Sequence, residues 1–463
     1  MSKRRESFSG SIGFVLAAAG SAVGLGNIWR FPFLAARDGG GLFLVVYLVL
    51  ALTFGFTLLC SDVSIGRFTK SSPLTAYGKL NAKFGWVGFF ASVVPFLILP
   101  YYCVIGGWVL KYFIVFLAGY GLDTAADGYF GGFITAQYEP IVMLLIFLGF
   151  CAFIIYKGVA SGIEQYSRIL MPVLIVLVLG ISIFALTIRT TDAAGNVVTG
   201  LQGLKVYMVP SFEGVTVKKF LLIVMDAAGQ LFYSLSIAMG IMVAYGSYVP
   251  DDANMVRSIN QIEFFDTAVA FLAGVMIIPA VFVFQGRDGM AASGPSLMFV
   301  SLPKVFAEMG TAGRVVGTLF FAMVLFAAVT SAMSVLEAVV SGLMDHFRLT
   351  RTKAVVMETV IALALGVLVC LGYNICYFEM PLPNGAVGQV LDLMDYASNY
   401  VLMPVVSIAT CILIGWVLKP EFVFREMGKN GEKLGRKGLF TVMIRFAAPV
   451  ILSVLLLMSL GIL

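Results

Sequence analysis

The stretch AAAGSAVGLGNIWRFP, which runs from Ala17 to Pro32, decides the fold that we expect for this chain. It lies within the first long apolar segment, yet it contains three glycines, one asparagine and Arg30. Glycines and a charge near the middle of a membrane helix interrupt its regular structure. Non-helical backbone at membrane depth is tolerated only where it is buried in protein or lines a water-filled cavity. We therefore expect this helix to break open around a small ligand and ions.

The composition is typical of a membrane protein. Of the 463 residues, 60% are hydrophobic and only 12% are charged, whereas a soluble domain has about 25% charged residues. Apolar runs long enough to cross a hydrocarbon core of ~30 Å recur along the chain. The pattern predicts an all-α polytopic membrane protein that forms a single domain over residues 1–463.

The hydrophobic pattern predicts eleven transmembrane helices. Their expected bounds are about 12–36, 41–69, 86–118, 140–158, 164–188, 216–249, 255–285, 311–346, 353–372, 388–418 and 438–462. With the N-terminus in the cytoplasm, most lysines and arginines fall in connections that face the cytoplasm, as is usual for membrane proteins. The connections 119–139 and 373–387, on the opposite side, contain none. We therefore expect a cytoplasmic N-terminus and an external C-terminus.

Residue usage disfavours several functional classes. The net charge of +5 comes from basic residues in short loops, so it does not indicate nucleic-acid binding. The six cysteines lack the paired spacing of a metal site, and His346 is the only histidine. The N-terminal segment lacks the apolar region and cleavage site of a signal peptide. Without a nucleophile–base pair, the chain is not expected to be an enzyme.

A second broken segment, DAAGQLFYSLSIAMG, runs from Asp226 to Gly240 within the sixth predicted helix. The first and sixth helices lie five spans apart. Because five is an odd number, the sixth helix would cross the membrane in the direction opposite to the first. Broken helices in corresponding positions of two halves indicate the binding site of a transporter. The alternative is that small residues only allow close helix packing, and Gly20 and Gly24 have the spacing of such a motif.

Ionisable residues inside membrane spans are costly, and they are candidates for function. They are Arg30, Asp62, Asp226, Asp266, Glu337, Asp392 and Asp395. Arg30 and Asp395 are expected at a similar depth in the membrane and could form an ion pair. Asp266 is a candidate ligand for a bound cation. The hydroxyl-rich run VTSAMS, residues Val329–Ser334, supplies hard oxygen ligands with little charge, which suits a monovalent cation better than a divalent one. For each carboxylate, a structural salt bridge or a helix interface remains the alternative, and Asp62 stays unassigned.

With these residues laid out, the sequence resembles the neurotransmitter:sodium symporter family, close to its bacterial amino-acid transporters of LeuT type. Four motifs carry the resemblance: GSAVGLGNIWRFPFLAARDGGG (Gly20–Gly41), DAAGQLFYSLSIAMG (Asp226–Gly240), AAVTSAMS (Ala327–Ser334) and LDLMDY (Leu391–Tyr396). The resemblance implies a LeuT-like fold with discontinuous helices 1 and 6 that works by alternating access. Two inverted five-helix repeats would cover residues of about 10–190 and about 216–418, followed by helix 11 at about 438–462. It also implies a multi-pass protein of the bacterial inner membrane.

The resemblance further implies two sodium sites. The first is expected to use the substrate carboxylate together with Ala22, Asn27, Ser234 and Asp266. The second is expected to use the carbonyl groups of Gly20, Val23 and Ala327 with the hydroxyl groups of Thr330 and Ser331. Asp266 falls where many family members have an asparagine next to a chloride-binding serine. Because its fixed charge would replace that of chloride, we expect chloride-independent transport.

An amino-acid substrate is expected at the two helix breaks. The expected pocket is formed by Ala22, Leu25, Gly26, Ile98, Tyr102, Tyr233, Ser234, Ser236, Met239, Ser331 and Val335. In it, the amide groups around Leu25 and Gly26 at a half-helix N-terminus would receive the substrate carboxylate. The first helix has no carboxylate where the amine-transporting members have one. Met239 is flexible and Val335 is of modest size, so the pocket favours a hydrophobic or aromatic amino acid.

Gates are expected on both sides of this pocket. The outer gate would pair Arg30 with Asp395. The inner gate would pair Arg5 with Asp345, near Tyr248. The sequence thus predicts a sodium-coupled importer of neutral, hydrophobic or aromatic L-amino acids in a lipid bilayer. A carrier of amines or osmolytes and a non-transporting receptor or channel are the alternatives, and a monomer and a homodimer are equally compatible with the sequence.

Overall fold

The computed structural model describes residues 6–191, 195–212, 214–289 and 294–463. Its helices, numbered in chain order, are α1 (Ser11–Ala22), α2 (Gly26–Arg37), α3 (Gly41–Thr69), α4 (Pro73–Leu80), α5 (Ala82–Leu117), α6 (Tyr129–Thr135), α7 (Glu139–Tyr156), α8 (Val159–Thr187), α9 (Gly200–Met208), α10 (Val217–Ser234), α11 (Ile241–Ser247), α12 (Met255–Gly286), α13 (Leu302–Glu308), α14 (Thr311–Phe347), α15 (Arg351–Leu371), α16 (Val390–Val417), α17 (Glu421–Met427) and α18 (Lys437–Ser459).

Two short hairpins lie in the connections. Strand β1 (Arg189–Thr191) pairs antiparallel with β2 (Val197–Thr199). Strand β3 (Met380–Pro381) pairs antiparallel with β4 (Val387–Gly388). These hairpins do not contribute to the buried core, which is formed by the helices. The all-α fold expected from the apolar runs is therefore confirmed.

The first predicted span is broken, as expected. Helices α1 and α2 are separated by three residues and are bent by 52° relative to each other. At the break, Val23 leaves the helical conformation with a ψ of 88°. Helical structure resumes at Gly26 with a π-helical turn, and regular α-helix follows from Phe31. The chain between Ala17 and Ile28 is buried, so this irregular backbone lies inside the protein.

The sixth predicted span is broken as well. Helix α10 ends at Ser234 and α11 begins at Ile241. Between them, Ser236, Ala238 and Gly240 have positive φ values of 54°, 61° and 69°. For residues with a side chain this conformation costs about 1–3 kcal/mol, and such strain is concentrated at binding and switch sites.

Within the described parts of the chain, nine helices are long and apolar enough to cross a membrane, and the bent pair α1 and α2 provides a tenth span. The pair α10 and α11 corresponds to the sixth expected span and would bring the number of spans to eleven. It is not counted with them, because α10 carries the three charged residues Lys218, Lys219 and Asp226 and six residues separate it from α11. The number of eleven spans therefore stays a prediction.

The broken helices are enclosed by long unbroken ones. Helix α14 packs along α5 and α8, and it also contacts α1, while α11 packs against α3. On the outside, apolar side chains such as Val45, Leu145 and Val450 are more than half exposed, as expected for a surface that faces lipid. This arrangement places the two helix breaks in the buried centre of the protein.

Candidate functional site

The two helix breaks enclose one small cavity. Its lining contains all eleven of the residues expected to bind substrate: Ala22, Leu25, Gly26, Ile98, Tyr102, Tyr233, Ser234, Ser236, Met239, Ser331 and Val335. Four further residues line it: Ser21, Gly24, Asn27 and Ile241. The cavity has a volume of about 30 Å³, far less than the ~300–1,000 Å³ of most ligand pockets. The side chains around it must therefore move outward to admit an amino acid.

One end of this cavity is suited to an anion. The Tyr102 hydroxyl is buried there without a hydrogen-bond partner among the described residues. A Cβ atom on Gly24 would lie 3.3 Å from that hydroxyl oxygen and 2.8 Å from Ser331 Oγ. Helix α2 begins beside them at Gly26, and the N-terminus of a helix attracts negative charge. Because an unsatisfied buried hydroxyl is costly, the Tyr102 hydroxyl favours a ligand that accepts its hydrogen bond at this end of the cavity.

A cluster of oxygen atoms lies beside the cavity, around the buried Asp266. Its Oδ1 atom accepts hydrogen bonds from Asn27 Nδ2 at 2.8 Å and from Ser234 Oγ at 2.5 Å. Ser234 Oγ also lies 3.2 Å from Asn27 Oδ1. Tyr47, which the sequence did not single out, approaches Asp266 Oδ2 with its hydroxyl at 3.4 Å. These side chains come from α2, α3, α10 and α12, so the cluster joins both broken helices to the unbroken ones.

The chemistry of this cluster fits sodium. In the described part of the chain, no lysine, arginine or histidine lies within 4.0 Å of the Asp266 carboxylate, although that carboxylate is fully buried. A charged carboxylate in a buried site is strongly stabilised by a nearby cation. One carboxylate with amide and hydroxyl oxygens suits a monovalent cation. The described residues contain no group of three or more His, Cys, Asp or Glu side chains able to hold a metal ion, so a transition-metal site is not indicated there.

The second expected ion site lies where α1 crosses α14. A Cβ atom on Gly20 would lie 3.2 Å from the Thr330 Cβ, so the two helices are in close contact. Ser331 Oγ donates to the Ser21 carbonyl at 3.1 Å and lies 3.5 Å from the Gly20 carbonyl. The Thr330 hydroxyl donates to the Ala327 carbonyl of its own helix at 3.1 Å. The structure therefore brings Gly20, Thr330 and Ser331 together, with Val23 and Ala327 buried next to them.

The expected ion pair of the outer gate is not formed in this structure. No carboxylate of the described residues lies within 4.0 Å of the Arg30 guanidinium. Asp395 instead accepts hydrogen bonds from Tyr101 Oη at 3.0 Å and from Asn399 Nδ2 at 2.5 Å. Both donors bind Oδ1 of Asp395, and neither oxygen of this carboxylate contacts Arg30 directly. Arg30 lines a separate cavity of about 180 Å³, which shares Tyr233 with the substrate cavity and also includes Asn399, the partner of Asp395.

A different arginine pairs with the outer part of α10. Arg37, at the end of α2, forms ion pairs with both Asp38 and Asp226. Asp226 therefore has the structural role that the sequence left open, since it ties α10 to α2. The second half of the first broken helix and the first half of the other are thus tied together by an ion pair.

At the expected inner gate, Tyr248 and Asp345 both have hydrogen-bond partners. Asp345 Oδ2 accepts from the Ser72 backbone N–H at 2.6 Å, and the Tyr248 hydroxyl donates to Glu337 Oε1 at 2.6 Å. Arg5, the expected partner of Asp345, lies outside the described residues. Phe8 packs edge-on against Tyr248, at 6.3 Å between ring centroids, and also packs against Tyr245.

Near the expected inner gate lies a buried ion pair that the sequence did not predict. Arg351 Nη1 lies 2.7 Å from Glu337 Oε2, and Glu337 is fully buried. Arg351 Nη2 lies 3.2 Å from Glu6 Oε2, which accepts a hydrogen bond from the Val159 N–H at 2.8 Å. The network connects the N-terminal segment to α8, α14 and α15. The only signal in the sequence was an acidic residue at Glu337 without a basic partner on the same helix.

Replacing Arg351 with glutamine is expected to destabilise the protein, because it leaves the buried Glu337 carboxylate without its cation. Removing one partner of a buried ion pair costs about 3–5 kcal/mol. We expect the melting temperature of the purified protein to fall by several degrees. The double variant Glu337→Gln/Arg351→Gln should recover much of that loss, while Arg348→Gln, an exposed control, should change little. A melting temperature of Arg351→Gln equal to that of the wild type would contradict this role.

Asp62, which the sequence left unassigned, contacts the break in the sixth span. Its Oδ2 atom accepts a hydrogen bond from the Ala238 N–H at 3.0 Å, and its side chain is buried. Ala238 is one of the residues with positive φ. Asp62 therefore stabilises the irregular backbone between α10 and α11.

Comparison with known proteins supports a single family. The family model described as Sodium:neurotransmitter symporter family matches residues 5–120 and 131–462. The uncharacterised sodium-dependent transporter YhdH of Bacillus subtilis is 31% identical over 467 residues, which cover 98% of both chains. An uncharacterised sodium-dependent transporter of Methanocaldococcus jannaschii is 31% identical over 451 residues, covering 93% of this chain and 86% of its own. The sodium- and chloride-dependent GABA transporter 2 of Rattus norvegicus is 25% identical, covering 89% of this chain and 73% of its own.

Among solved structures, MhsT in complex with L-phenylalanine matches 98% of this chain with 31% identity and a TM-score of 0.85, and all of that structure is covered. The LeuT-like fold is therefore confirmed. The fold and these relatives define a sodium-coupled multi-pass membrane transporter, not an enzyme. The chain belongs to the sodium:neurotransmitter symporter family.

Proposed function

We propose that this protein imports neutral, hydrophobic or aromatic L-amino acids together with sodium and without chloride. The observation that carries the proposal is the buried cluster of Asp266, Asn27 and Ser234 beside a cavity between two broken helices. A cation in this cluster and a carboxylate at the Tyr102 end of the cavity would stabilise each other. Import then requires that sodium binding favours the outward-open state, because a ligand shifts an equilibrium only through its differential affinity for the two states.

An amino acid fits the cavity better than an amine does. None of the described residues that line the cavity is acidic. An amine without its own carboxylate would therefore enter a site with no direct anionic partner, which is costly for a buried charge. The cavity also presents Ile98, Met239 and Val335, so an apolar side chain is favoured. MhsT, with its bound L-phenylalanine, is consistent with such a substrate.

The remaining parts of the proposal describe transport by alternating access, in which the substrate site opens first to one side of the membrane and then to the other. Sodium would bind at two sites, one at Asp266 and one between Gly20 and Ser331. The two repeats, about 10–190 and about 216–418, would move relative to each other. In the bacterial inner membrane the N-terminus would be cytoplasmic, with Arg30 and Asp395 on the outer side and Tyr248 and Asp345 on the inner side.

A competition experiment tests the proposed substrate class. Labelled L-phenylalanine is bound to the purified protein in sodium, and unlabelled compounds are added as competitors. We expect aromatic and large aliphatic L-amino acids to compete most strongly, and phenethylamine, which lacks the carboxylate, to compete at least about 100-fold more weakly, since a hydrogen-bonded charge is worth ~1.5–3 kcal/mol per contact. Equal competition by phenethylamine would favour the alternative of an amine carrier.

Replacing Tyr102 with phenylalanine should weaken amino-acid binding by about 10- to 100-fold, because a hydrogen bond to a charged group is worth ~1.5–3 kcal/mol. Sodium binding in the absence of substrate should change little. The matched control is Tyr112→Phe on the same helix, which removes a hydrogen bond to the Phe299 carbonyl far along the helix from Tyr102. If Tyr102→Phe binds the amino acid with wild-type affinity, the carboxylate does not bind at this end of the cavity.

A further inference from the structure

An open cavity of about 600 Å³ lies at the N-terminal end of α12, the helix that carries Asp266 further along. The first turns of α12 form one wall, and Glu432 and Lys433, from the connection before α18, form the other. This is the cytoplasmic end of α12 in the orientation proposed above. The cavity is separate from the substrate cavity, and neither the gates nor the ion clusters account for it.

The wall formed by α12 changes from charged to apolar along its length. Arg257, Asn260, Gln261 and Phe264 all line the cavity, and their spacing of three and four residues places them on one helix face. At 1.5 Å per residue, Phe264 lies seven residues and about 10 Å along the helix from Arg257. Phe264 is 66% exposed. A cation, two amides and an exposed aromatic ring thus follow one another from the helix end toward the membrane.

The two cations of this cavity, Arg257 and Lys433, have no acidic partner among the described residues. No carboxylate in the described ranges lies within 4.0 Å of the Arg257 guanidinium or the Lys433 ammonium group. Two acidic residues near the cavity are engaged elsewhere: Glu263 pairs with Arg436 at 3.3 Å, and Asp251 pairs with Lys429 at 3.1 Å. A hydrogen bond from Lys429 lowers the pKa of Asp251, so that carboxylate stays charged and paired.

The described residues that line the cavity carry a net positive charge. Glu432 is the one acidic residue in the described lining, and its Oε2 atom accepts a hydrogen bond from the Asn430 N–H at 3.0 Å. Two cations and one anion leave an excess of one positive charge. The two amide side chains add hydrogen-bond donors beside it. This combination is complementary to a phosphate group.

We propose that this cavity binds the phosphate headgroup of an anionic phospholipid from the adjacent leaflet, with Arg257 and Lys433 on the phosphate and Phe264 against the acyl chain. Basic pockets at the cytoplasmic membrane surface attract anionic lipids. A free phosphate ion would use the cations but not the exposed aromatic ring. The continuous change from charged to apolar along α12 therefore favours a lipid.

A lipid bound here would act on the helix that carries the sodium cluster. Phe265 also lines the cavity, and the next residue in the chain is Asp266. Arg436 connects the neighbouring part of α12, at Asn260 and Glu263, to the connection that carries Lys433. An occupied cavity would hold the first turns of α12 against that connection.

The test counts bound lipids by native mass spectrometry of the full-length protein in detergent. Phosphatidylglycerol or phosphatidylcholine is added at equal concentration. We expect the wild type to retain phosphatidylglycerol in preference to phosphatidylcholine. Arg257→Gln/Lys433→Gln should retain it roughly 10- to 30-fold less well, since each cation near the membrane surface contributes a factor of about 5. The control Lys83→Gln/Lys353→Gln removes two other exposed cations and should retain it as the wild type does.

Three outcomes would overturn the proposal. In the first, Arg257→Gln/Lys433→Gln retains phosphatidylglycerol as well as the wild type does. In the second, the wild type retains the two lipids equally. In the third, an equal concentration of inorganic phosphate displaces the lipid. The last would indicate a site for a free anion. Should the double variant not fold, the single variants Arg257→Gln and Lys433→Gln, each expected to lose about 5-fold, decide the question. Because no transport is measured, the result is independent of the proposed substrate.

Discussion

Replacing Asp266 with asparagine is expected to make sodium-coupled uptake depend on chloride. The substitution keeps an oxygen that can accept the hydrogen bonds from Asn27 and Ser234, but it removes the negative charge. Two unit charges ~4 Å apart interact by ~4 kcal/mol at an effective dielectric constant of 20. We therefore expect sodium affinity in chloride-free buffer to fall at least about 100-fold, with a matching loss of uptake.

Chloride should restore part of this loss, because a chloride ion near Tyr47 would replace the missing charge. Uptake by the variant is measured in proteoliposomes with chloride or gluconate as the anion, at several sodium concentrations. The control is Asp392→Asn, which removes a carboxylate that accepts from the Gln389 N–H at the start of α16. Unchanged chloride-free uptake by Asp266→Asn would show that this carboxylate does not supply the charge at the sodium site.

Replacing Gly24 with alanine is expected to weaken amino-acid binding by about 10- to 100-fold, since overpacking costs ~1–3 kcal/mol. The added methyl group would lie 2.8 Å from Ser331 Oγ and 3.3 Å from Tyr102 Oη. It would occupy the end of the cavity where we place the substrate carboxylate. Ser331 can rotate away, but it would then lose its hydrogen bond to the Ser21 carbonyl.

The matched control for Gly24→Ala is Gly180→Ala. Gly180 is an exposed residue of the membrane helix α8, and a Cβ atom there would meet nothing within 4 Å. Both variants should express and elute as the wild type does, and only Gly24→Ala should lose binding. Wild-type affinity in Gly24→Ala would place the carboxylate elsewhere.

The features that depend on local sequence could be predicted well. Glycines and polar residues in the first and sixth apolar segments indicate the breaks, because few other arrangements allow polar residues at membrane depth. The resemblance then supplied the pocket, and the structure brings all of its expected residues to one cavity.

Pairings between distant side chains could not be predicted in the same way. Arg30 and Arg37 are seven residues apart and lie on the same helix face, so the sequence cannot tell which of them meets an acidic residue. The sequence favoured Arg30 with Asp395, whereas the structure pairs Arg37 with Asp226. The bond of Arg351 to Glu337 was missed because it joins two helices across a connection.

Local irregularities also lie beyond the reach of periodicity. Helix α3 contains a π-helical turn at Ala51–Gly55, and the extra residue rotates the following part of the helix. Tyr47 lies before this turn, and its hydroxyl reaches Asp266. A hydrophobic pattern treats Tyr47 as one more apolar residue, so this contact gave no signal in the sequence.

The most direct test of the central claim is accumulation of a labelled amino acid in proteoliposomes that contain the purified protein. An inward sodium gradient is imposed in chloride-free buffer, with L-phenylalanine as the labelled compound. We predict transient accumulation above the external concentration that collapses when the sodium gradient is dissipated. Accumulation that needs chloride, or binding of L-phenylalanine that is indifferent to sodium, would contradict the account.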